Sequence, residues 1–152
     1  MARPKAPAMT LIHGSSVMVA GAGVLIRGPS GGGKSDLALR LIDQGALLVA
    51  DDQTRLTRRE DGLRMSCPAA IAGLLEVRGL GIVRLPYRAA APLRLVVDLV
   101  PEAEIERLPD PEPVALLGLA LPRLRLCPWQ ASAPAKVRLA VGVATGLIMP
   151  LS

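Results

Sequence analysis

The stretch GPSGGGKS, residues 28–35, constrains the fold more than any other part of this sequence. It contains four glycines and a lysine, and it closely follows the apolar run VLI, which predicts a strand. Glycine is roughly 0.5–1 kcal/mol less favourable than alanine inside a helix or strand, so this concentration needs a physical reason. Contact between a phosphate chain and bare backbone is such a reason. The sequence therefore predicts a phosphate-binding loop between a strand and a helix.

The spacing within this stretch satisfies the pattern G-x-x-x-x-G-K-[ST]. In such a loop the backbone N–H groups surround the phosphates, and the start of the following helix adds about half a positive charge. We expect Lys34 to reach the β- and γ-phosphates and the Ser35 hydroxyl to bind Mg²⁺. The predicted nucleotide-binding residues are Gly28, Pro29, Ser30, Gly31, Gly32, Gly33, Lys34 and Ser35. A glycine-rich turn without a ligand is the alternative.

Two consecutive carboxylates, Asp51 and Asp52, follow the buried strand predicted for ALLVA. They lie 17 and 18 residues after Lys34, and one helix of about 11 residues plus one strand would return the chain to the phosphate end of the sheet. We expect Asp51 on the metal side of the nucleotide. We expect Asp52 to take the proton of a substrate hydroxyl, although it could instead only cap a turn.

Three further features, one single residue and two residue pairs, permit two interpretations each. His13 is the single histidine, and a lone histidine more often serves packing or the surface than catalysis. Glu76 and Arg78 would share one strand face, either as an ion pair or as a metal-side carboxylate with a phosphate-facing guanidinium. Lys136 and Arg138 lie near the start of the last predicted helix, where the dipole disfavours cations. Either an anion is received there, or the helix begins elsewhere.

The composition narrows the class of protein. The chain is 51% hydrophobic and 20% charged, which predicts an ordinary soluble globule. Its net charge of +5 suits an acidic ligand such as a nucleotide, or only aids solubility. Trp129 and Tyr87 are the only aromatic residues, which argues against nucleic-acid binding. The isolated Cys67 and Cys127 indicate core thiols in a reducing, cytoplasmic compartment, with a disulfide between them as the alternative. No apolar stretch is long enough to span a membrane.

The predicted organisation is a flexible arm over residues 1–10 and a single catalytic domain over residues 11–152. Short strands are expected between residues 11 and 27, a helix ending at Gly45, a hairpin around EDG, and a strand within LEVRGLGIVRLP. A strand at LRLVVDLV precedes an acidic, proline-rich surface connection, and a final helix begins near Ala133 and carries Ile148 on its apolar face. The fold class is α/β, with a mixed, strand-rich sheet rather than a regular βαβ series.

Four stretches of this sequence resemble the catalytic domain of HPr kinase/phosphorylase in residue type, order and spacing. They are HG at His13, GVLIRGPSGGGKS, LVADD, and LEVRGLGI at residues 75–82. The resemblance spans roughly residues 11–148 and implies a fold similar to that of phosphoenolpyruvate carboxykinase. Members of this family are bacterial enzymes that phosphorylate a serine of HPr, the phosphocarrier of sugar phosphotransferase systems. The sequence corresponds to their catalytic core without the N-terminal domain of full-length members.

The resemblance also implies roles for individual residues. Lys34 and its loop would bind ATP, or pyrophosphate in some members, while Ser35 and Glu76 would hold Mg²⁺. Asp52 would take the proton of the serine hydroxyl and return one during phosphorolysis by inorganic phosphate. His13 would join the active site, contrary to the interpretation from its residue type alone.

Two matches to the family are incomplete. Arg107 in IERLP resembles an active-site arginine, but a proline follows the leucine where glycine is usual. Pro134 and Lys136 are what remains of a proline-arginine-glycine loop that the family uses for dephosphorylation.

The resemblance further implies a homo-oligomer, a hexamer in the family. Two other functions fit the residues: a P-loop kinase for a small molecule, and a nucleotide-dependent regulatory module without catalysis.

Overall fold

The computed structural model describes residues 8–151. Its strands are β1 (Met9–His13), β2 (Ser15–Val19), β3 (Ala22–Arg27), β4 (Leu47–Ala50), β5 (Gln53–Arg59), β6 (Gly62–Ser66), β7 (Leu74–Val77), β8 (Gly81–Arg84), β9 (Ala90–Leu99), β10 (Val114–Leu116), β11 (Leu119–Leu121) and β12 (Arg123–Leu126). Its helices are α1 (Lys34–Asp43) and α2 (Ala133–Ala144), with single 3-10 turns at Ala69–Ile71 and Glu102–Glu104.

The main sheet is mixed and contains eight strands in the order β1-β5-β6-β9-β3-β2-β4, with β12 beside β9. Strands β3, β9 and β12 run parallel to one another, whereas β2 is antiparallel to both β3 and β4. The long β9 pairs with β6 at its start and with β12 at its end, so the sheet curls along this strand. The predicted α/β class with a strand-rich mixed sheet is therefore confirmed.

The core has two parts, one on each side of β3. Because strand side chains alternate between faces, Val24 and Ile26 point towards the helices while Leu25 points to the opposite side. Both faces of β3 are buried, which explains its continuous apolar sequence. The helix-side core includes Val17, Val24, Ile26, Leu37, Leu41, Leu95, Val97, Leu126, Val137 and Val141. The opposite core includes Leu25, Val49, Leu56, Leu63, Met65, Leu93, Val96 and Leu121.

Helix α1 follows from its apolar face and its two ends. Leu37, Ala38 and Leu41 are buried against the sheet, at the spacing that the sequence predicted. Gly33 precedes the helix with a φ of +98°, and Gly45 follows it with a φ of +107°. These values favour glycine because a Cβ is strained in the left-handed region. The helix therefore begins directly at Lys34, the lysine of the phosphate-binding pattern.

Several predicted boundaries differ from the structure. Residues 1–7 of the predicted arm, residues 1–10, lie outside the described residues. Met9 and Thr10, also assigned to the arm, belong to β1. Helix α2 ends at Ala144, so the placement of Ile148 on its face was wrong, although this side chain does pack against Gly142. Three short strands, β10 to β12, lie between residues 114 and 126, where the sequence predicted no strand.

The two cysteines do not form a disulfide. Both cysteines are free thiols, Cys127 buried and Cys67 half-buried, and burial raises the pKa of the Cys67 thiol. Within residues 8–151, no helix combines the length and apolar character needed to cross a membrane.

Candidate active site

The strand directions bring four separate segments to one edge of the sheet. Strands β3 and β4 point the same way, because each is antiparallel to β2, so the loop 28–35 and Asp51 both lie at this edge. Ser15 begins β2 at the same edge. His13 ends β1 and pairs with Gln53, the first residue of β5, which places it there as well. Ligands of open α/β sheets bind at such carboxyl ends.

The loop 28–35 surrounds the ammonium group of its own lysine. Lys34 is only 6% exposed, and its Nζ donates hydrogen bonds to the carbonyl oxygens of Gly28 (3.0 Å) and Pro29 (2.9 Å). Gly31 has a φ of +74°, in the left-handed region where glycine is favoured. The loop thus joins β3 to α1 with the curved backbone that the pattern predicts and with one buried positive charge.

The Asp51 carboxylate connects three elements. It is 9% exposed, and its Oδ1 accepts hydrogen bonds from the hydroxyls of Ser15 (2.8 Å) and Ser35 (2.7 Å). Its Oδ2 accepts a hydrogen bond from the backbone N–H of Glu76 (3.2 Å). Strand β2, helix α1 and strand β7 therefore meet at one acid, directly beside the loop.

The donor set around Asp51 fits a magnesium ion. Hydroxyl and carboxylate oxygens are the hard ligands that Mg²⁺ prefers, and Ser35 and Asp51 supply both within hydrogen-bond distance of each other. The backbone of Glu76 lies at the same carboxylate, while its side chain is exposed. In the described part of the chain no three or more His, Cys, Asp or Glu side chains form a metal cluster. A magnesium that is shared with phosphate oxygens needs only one or two protein carboxylates.

Asp52 has partners different from those of its neighbour because its backbone is left-handed. Its φ is +66°, a conformation that aspartate tolerates better than most residues. Its side chain is 66% exposed, and Oδ1 lies 2.7 Å from Nε2 of His13. Its backbone N–H donates to Ser15 Oγ (3.3 Å), and its carbonyl accepts from the N–H of Gly14 (2.9 Å). One aspartate thus faces buried hydroxyls and the other faces solvent beside a histidine.

The glycine after His13 is required by close packing. A Cβ at Gly14 would lie 2.7 Å from the backbone oxygen of Ile26, closer than real Cβ contacts allow. The turn between β1 and β2 therefore approaches the end of β3 directly. This approach holds His13 and Asp52 next to the loop that follows β3.

The remaining predicted residues are not joined to this cluster by any hydrogen bond or ion pair found among residues 8–151. Arg107 is exposed in the connection after the second 3-10 turn, and Arg78 lies in the turn beyond β7, so it does not share a strand face with Glu76. Pro134 is buried in the first turn of α2, and Lys136 Nζ donates to Gln130 Oε1 (2.8 Å).

Sequence reasoning missed an ion-pair network immediately before the loop. Arg27 precedes Gly28, and its Nε and Nη2 donate to the two oxygens of Asp98 at 2.8 and 2.9 Å. Arg123 donates to Oδ2 of the same carboxylate. Burial raises the pKa of Asp98, but the hydrogen bonds and charges of the two arginines outweigh it and hold this pKa below its ordinary value. The available signal was that a charged residue ends each of the apolar runs VLI and LVV.

Ser15 was also missed, although it contacts both aspartates. It is fully buried at the start of β2 and follows the HG pair directly. A buried polar group needs a hydrogen-bond partner, so a serine that opens a buried strand beside HG was the signal in the sequence.

Comparisons with known proteins agree with this geometry. HPr kinase/phosphorylase of Burkholderia lata is 40% identical to this chain, and the match covers 83% of this chain and 42% of that protein. The HPr kinase/phosphorylase of Geobacillus thermodenitrificans is 43% identical, with 77% and 42% covered. The chain thus spans less than half the length of these relatives.

A solved structure matches the fold over a larger share of its own length. The Hpr(Ser) kinase/phosphatase from Coxiella burnetii superposes with a TM-score of 0.77 at 27% identity, over 87% of this chain and 88% of that one. The profile of the family described as HPr Serine kinase C-terminal domain matches residues 5–126. This match covers the loop, both aspartates and the HG pair, and the chain belongs to the HPr serine kinase C-terminal domain family.

Proposed function

We propose that this chain transfers the γ-phosphoryl group of Mg-ATP to a serine hydroxyl of an HPr-like phosphocarrier. The observation that carries the proposal is the pair of neighbouring aspartates with separate partners. Asp51 Oδ1 accepts a hydrogen bond from the Ser35 hydroxyl at 2.7 Å, and Asp52 extends into solvent beside His13. A nucleotide-binding module has little need for the second, exposed carboxylate.

The phosphate half of the site consists of the loop 28–35. Its backbone N–H groups and the start of α1 provide positive potential for the β-phosphate, and Lys34 adds a full charge that is already inside the loop. Ser35 and Asp51 would hold Mg²⁺, which when bound neutralises charge on the transferred group. These groups supply electrostatic stabilisation where charge accumulates during phosphoryl transfer.

The acceptor half of the site consists of Asp52 and His13. The serine oxygen forms a bond to the γ-phosphorus, while the bond from that phosphorus to the β,γ-bridging oxygen breaks. The hydroxyl proton goes to the Asp52 carboxylate. His13 would hold this carboxylate through its 2.7 Å contact with Oδ1, which leaves Oδ2 to accept the proton. A positioned base of this kind contributes about 10²–10⁴-fold to the rate.

The reverse reaction uses the same groups. Inorganic phosphate would attack the phosphoserine to form pyrophosphate, and Asp52 would return its proton to the serine oxygen. Through the family resemblance alone, Pro134 and Lys136 belong to this reverse reaction and Arg107 belongs to the catalytic residues of the active site. The proposal also includes action in the cytoplasm and assembly into a hexamer. Light scattering of the purified chain would test the hexamer through its molar mass.

The test is a transfer assay with a purified HPr-type protein. The chain is incubated with Mg-ATP and the carrier, and phosphoserine is located by mass spectrometry. Asp52→Asn should reduce transfer by at least about tenfold and leave ATP affinity near the wild-type value. Asp61→Asn changes an exposed aspartate in the turn after β5, and should have no effect.

Three results would contradict the proposal in different ways. Full transfer by the Asp52 variant would remove this residue from the mechanism. ATP binding by the wild type without any product would indicate a non-catalytic regulatory module. Phosphorylation of a metabolite but not of the carrier would indicate a small-molecule kinase.

A further inference from the structure

Trp129 is the most unusual exposed side chain near the candidate active site. It is the sole tryptophan of a chain that has one tyrosine and no phenylalanine, yet it is 67% exposed. An aromatic side chain buries a large apolar area when it can, so its exposure in an aromatic-poor chain needs a reason. Trp129 lies between β12 and α2, three residues beyond the end of the family match at residue 126.

Helix α1 holds the segment that carries Trp129. The guanidinium of Arg40 donates to the backbone oxygens of Pro128 and Gln130, on both sides of the tryptophan. Arg40 is itself oriented by Asp36, whose Oδ2 lies 3.0 Å from its Nε. The backbone of this exposed aromatic residue is thus fixed by the same helix whose first residues belong to the phosphate-binding pattern.

The indole ring lies against the phosphate-binding loop. A Cβ at Gly33 would be 3.1 Å from Cη2 of Trp129, so the tip of the ring is at van der Waals distance from the last glycine before α1. The strand directions explain this placement. Strands β3, β9 and β12 are parallel, so the loop after β12 opens at the same sheet edge as the loop after β3.

We propose that Trp129 forms the subsite for the nucleobase of the donor, with the base stacked on the exposed face of the indole. This inference rests on the proposed function, because it needs a nucleotide whose phosphates lie in the loop 28–35. Every base presents a π-face to an aromatic side chain, and such stacking discriminates little between bases. The subsite therefore accepts nucleoside triphosphates as a class and contributes affinity rather than base specificity.

The test compares two ligands that share the phosphate chain and differ in the base. ATP and inorganic tripolyphosphate are titrated by calorimetry, with magnesium, into the wild type and into Trp129→Ala. The variant should lose about fivefold to 150-fold in ATP affinity, the usual loss when a stacking side chain is removed, and should retain its tripolyphosphate affinity. Trp129→Phe should recover part of the loss.

One control variant and one fluorescence measurement accompany these titrations. Leu139→Ala removes another exposed apolar side chain, 59% exposed on α2, and should change neither affinity. Because Trp129 is the only tryptophan, its fluorescence in the wild type reports directly on the subsite. Emission should change more on addition of ATP than on addition of tripolyphosphate, because only ATP places a base on the ring; an equal change with both ligands would count against the subsite.

The results that would contradict the subsite differ from the result that would contradict the proposed function on which it rests. Unchanged ATP affinity in Trp129→Ala would overturn the subsite. An equal loss for both ligands would also overturn it, because Trp129 would then only support the loop at Gly33. A wild-type protein that binds neither ligand would overturn the proposed function, and the subsite with it.

Discussion

The Asp98 carboxylate offers a quantitative test of how the ion pairs directly before the loop 28–35 stabilise the fold. It is 8% exposed and accepts hydrogen bonds from Arg27 and Arg123, whose side chains are 27% and 22% exposed. Removing one member of a buried ion pair costs about 3–5 kcal/mol, because the remaining charge stays buried without a partner. Both arginines retain about a quarter of their surface in water, so for Asp98→Asn we expect the lower value, about 3 kcal/mol.

This loss has a defined thermal and pH signature. For a domain of this size, 3 kcal/mol corresponds to a decrease in Tm of about 6–12 °C. Because the pKa of Asp98 is lowered in the folded state, its stabilisation is fully present above the ordinary value of 3.8 and is lost as the pH falls through the folded-state pKa. The asparagine does not titrate, so the difference between wild type and variant should be constant at neutral pH and shrink in acid.

The assay is urea unfolding followed by circular dichroism, at neutral pH and at several acidic pH values. Asp61→Asn serves as the matched control, since this carboxylate lies exposed in the turn between β5 and β6. A difference within about 0.5 kcal/mol of wild type at neutral pH would refute the reasoning, because that is the effect of an ordinary surface substitution. A difference that grows in acid would refute the assigned direction of the pKa shift.

Two further substitutions test the site at other points. Gly14→Ala should destabilise the fold by about 1–3 kcal/mol in urea unfolding, because its Cβ would meet the Ile26 oxygen at 2.7 Å. Wild-type stability would show that the turn between β1 and β2 can move. Ser35→Ala should weaken magnesium-dependent ATP binding at least about tenfold in calorimetry, with ATP affinity in EDTA unchanged. Equal losses with and without magnesium would show that this hydroxyl binds phosphate or supports the loop instead.

The sequence predicts those parts of the site where the backbone conformation allows only certain residue types or where the chain length fixes the position. Gly33 and Lys34 lie where the pattern places them, because the turn into α1 requires a positive φ that glycine tolerates. Asp51 follows from counting one helix and one strand back to the same edge. Separate roles for the two aspartates were also predicted, although the left-handed backbone of Asp52, which gives them separate partners, was not.

The parts that could not be predicted depend on contacts between distant segments. Ser15 and Arg27 have partners 36 and 71 residues away, and a single sequence does not show such pairings. Strands β10 and β11 have three residues each, too few for alternation to be visible. Arg107 lies in a connection without periodicity, so its resemblance to a family residue predicts a role without predicting a position.

Arg40 ties helix α1 to the segment 127–132 through its hydrogen bonds to Pro128 and Gln130, so that under the two proposals above donor recognition would be divided between two distant stretches of chain. GPSGGGKS would grip phosphates, whereas residues 127–132 would receive whatever is attached to them. Substitutions in the second stretch could change which donor is preferred and leave the first intact. Under these proposals the preference for a nucleotide or an inorganic donor would depend on residues 127–132 and not on the residues that perform the transfer.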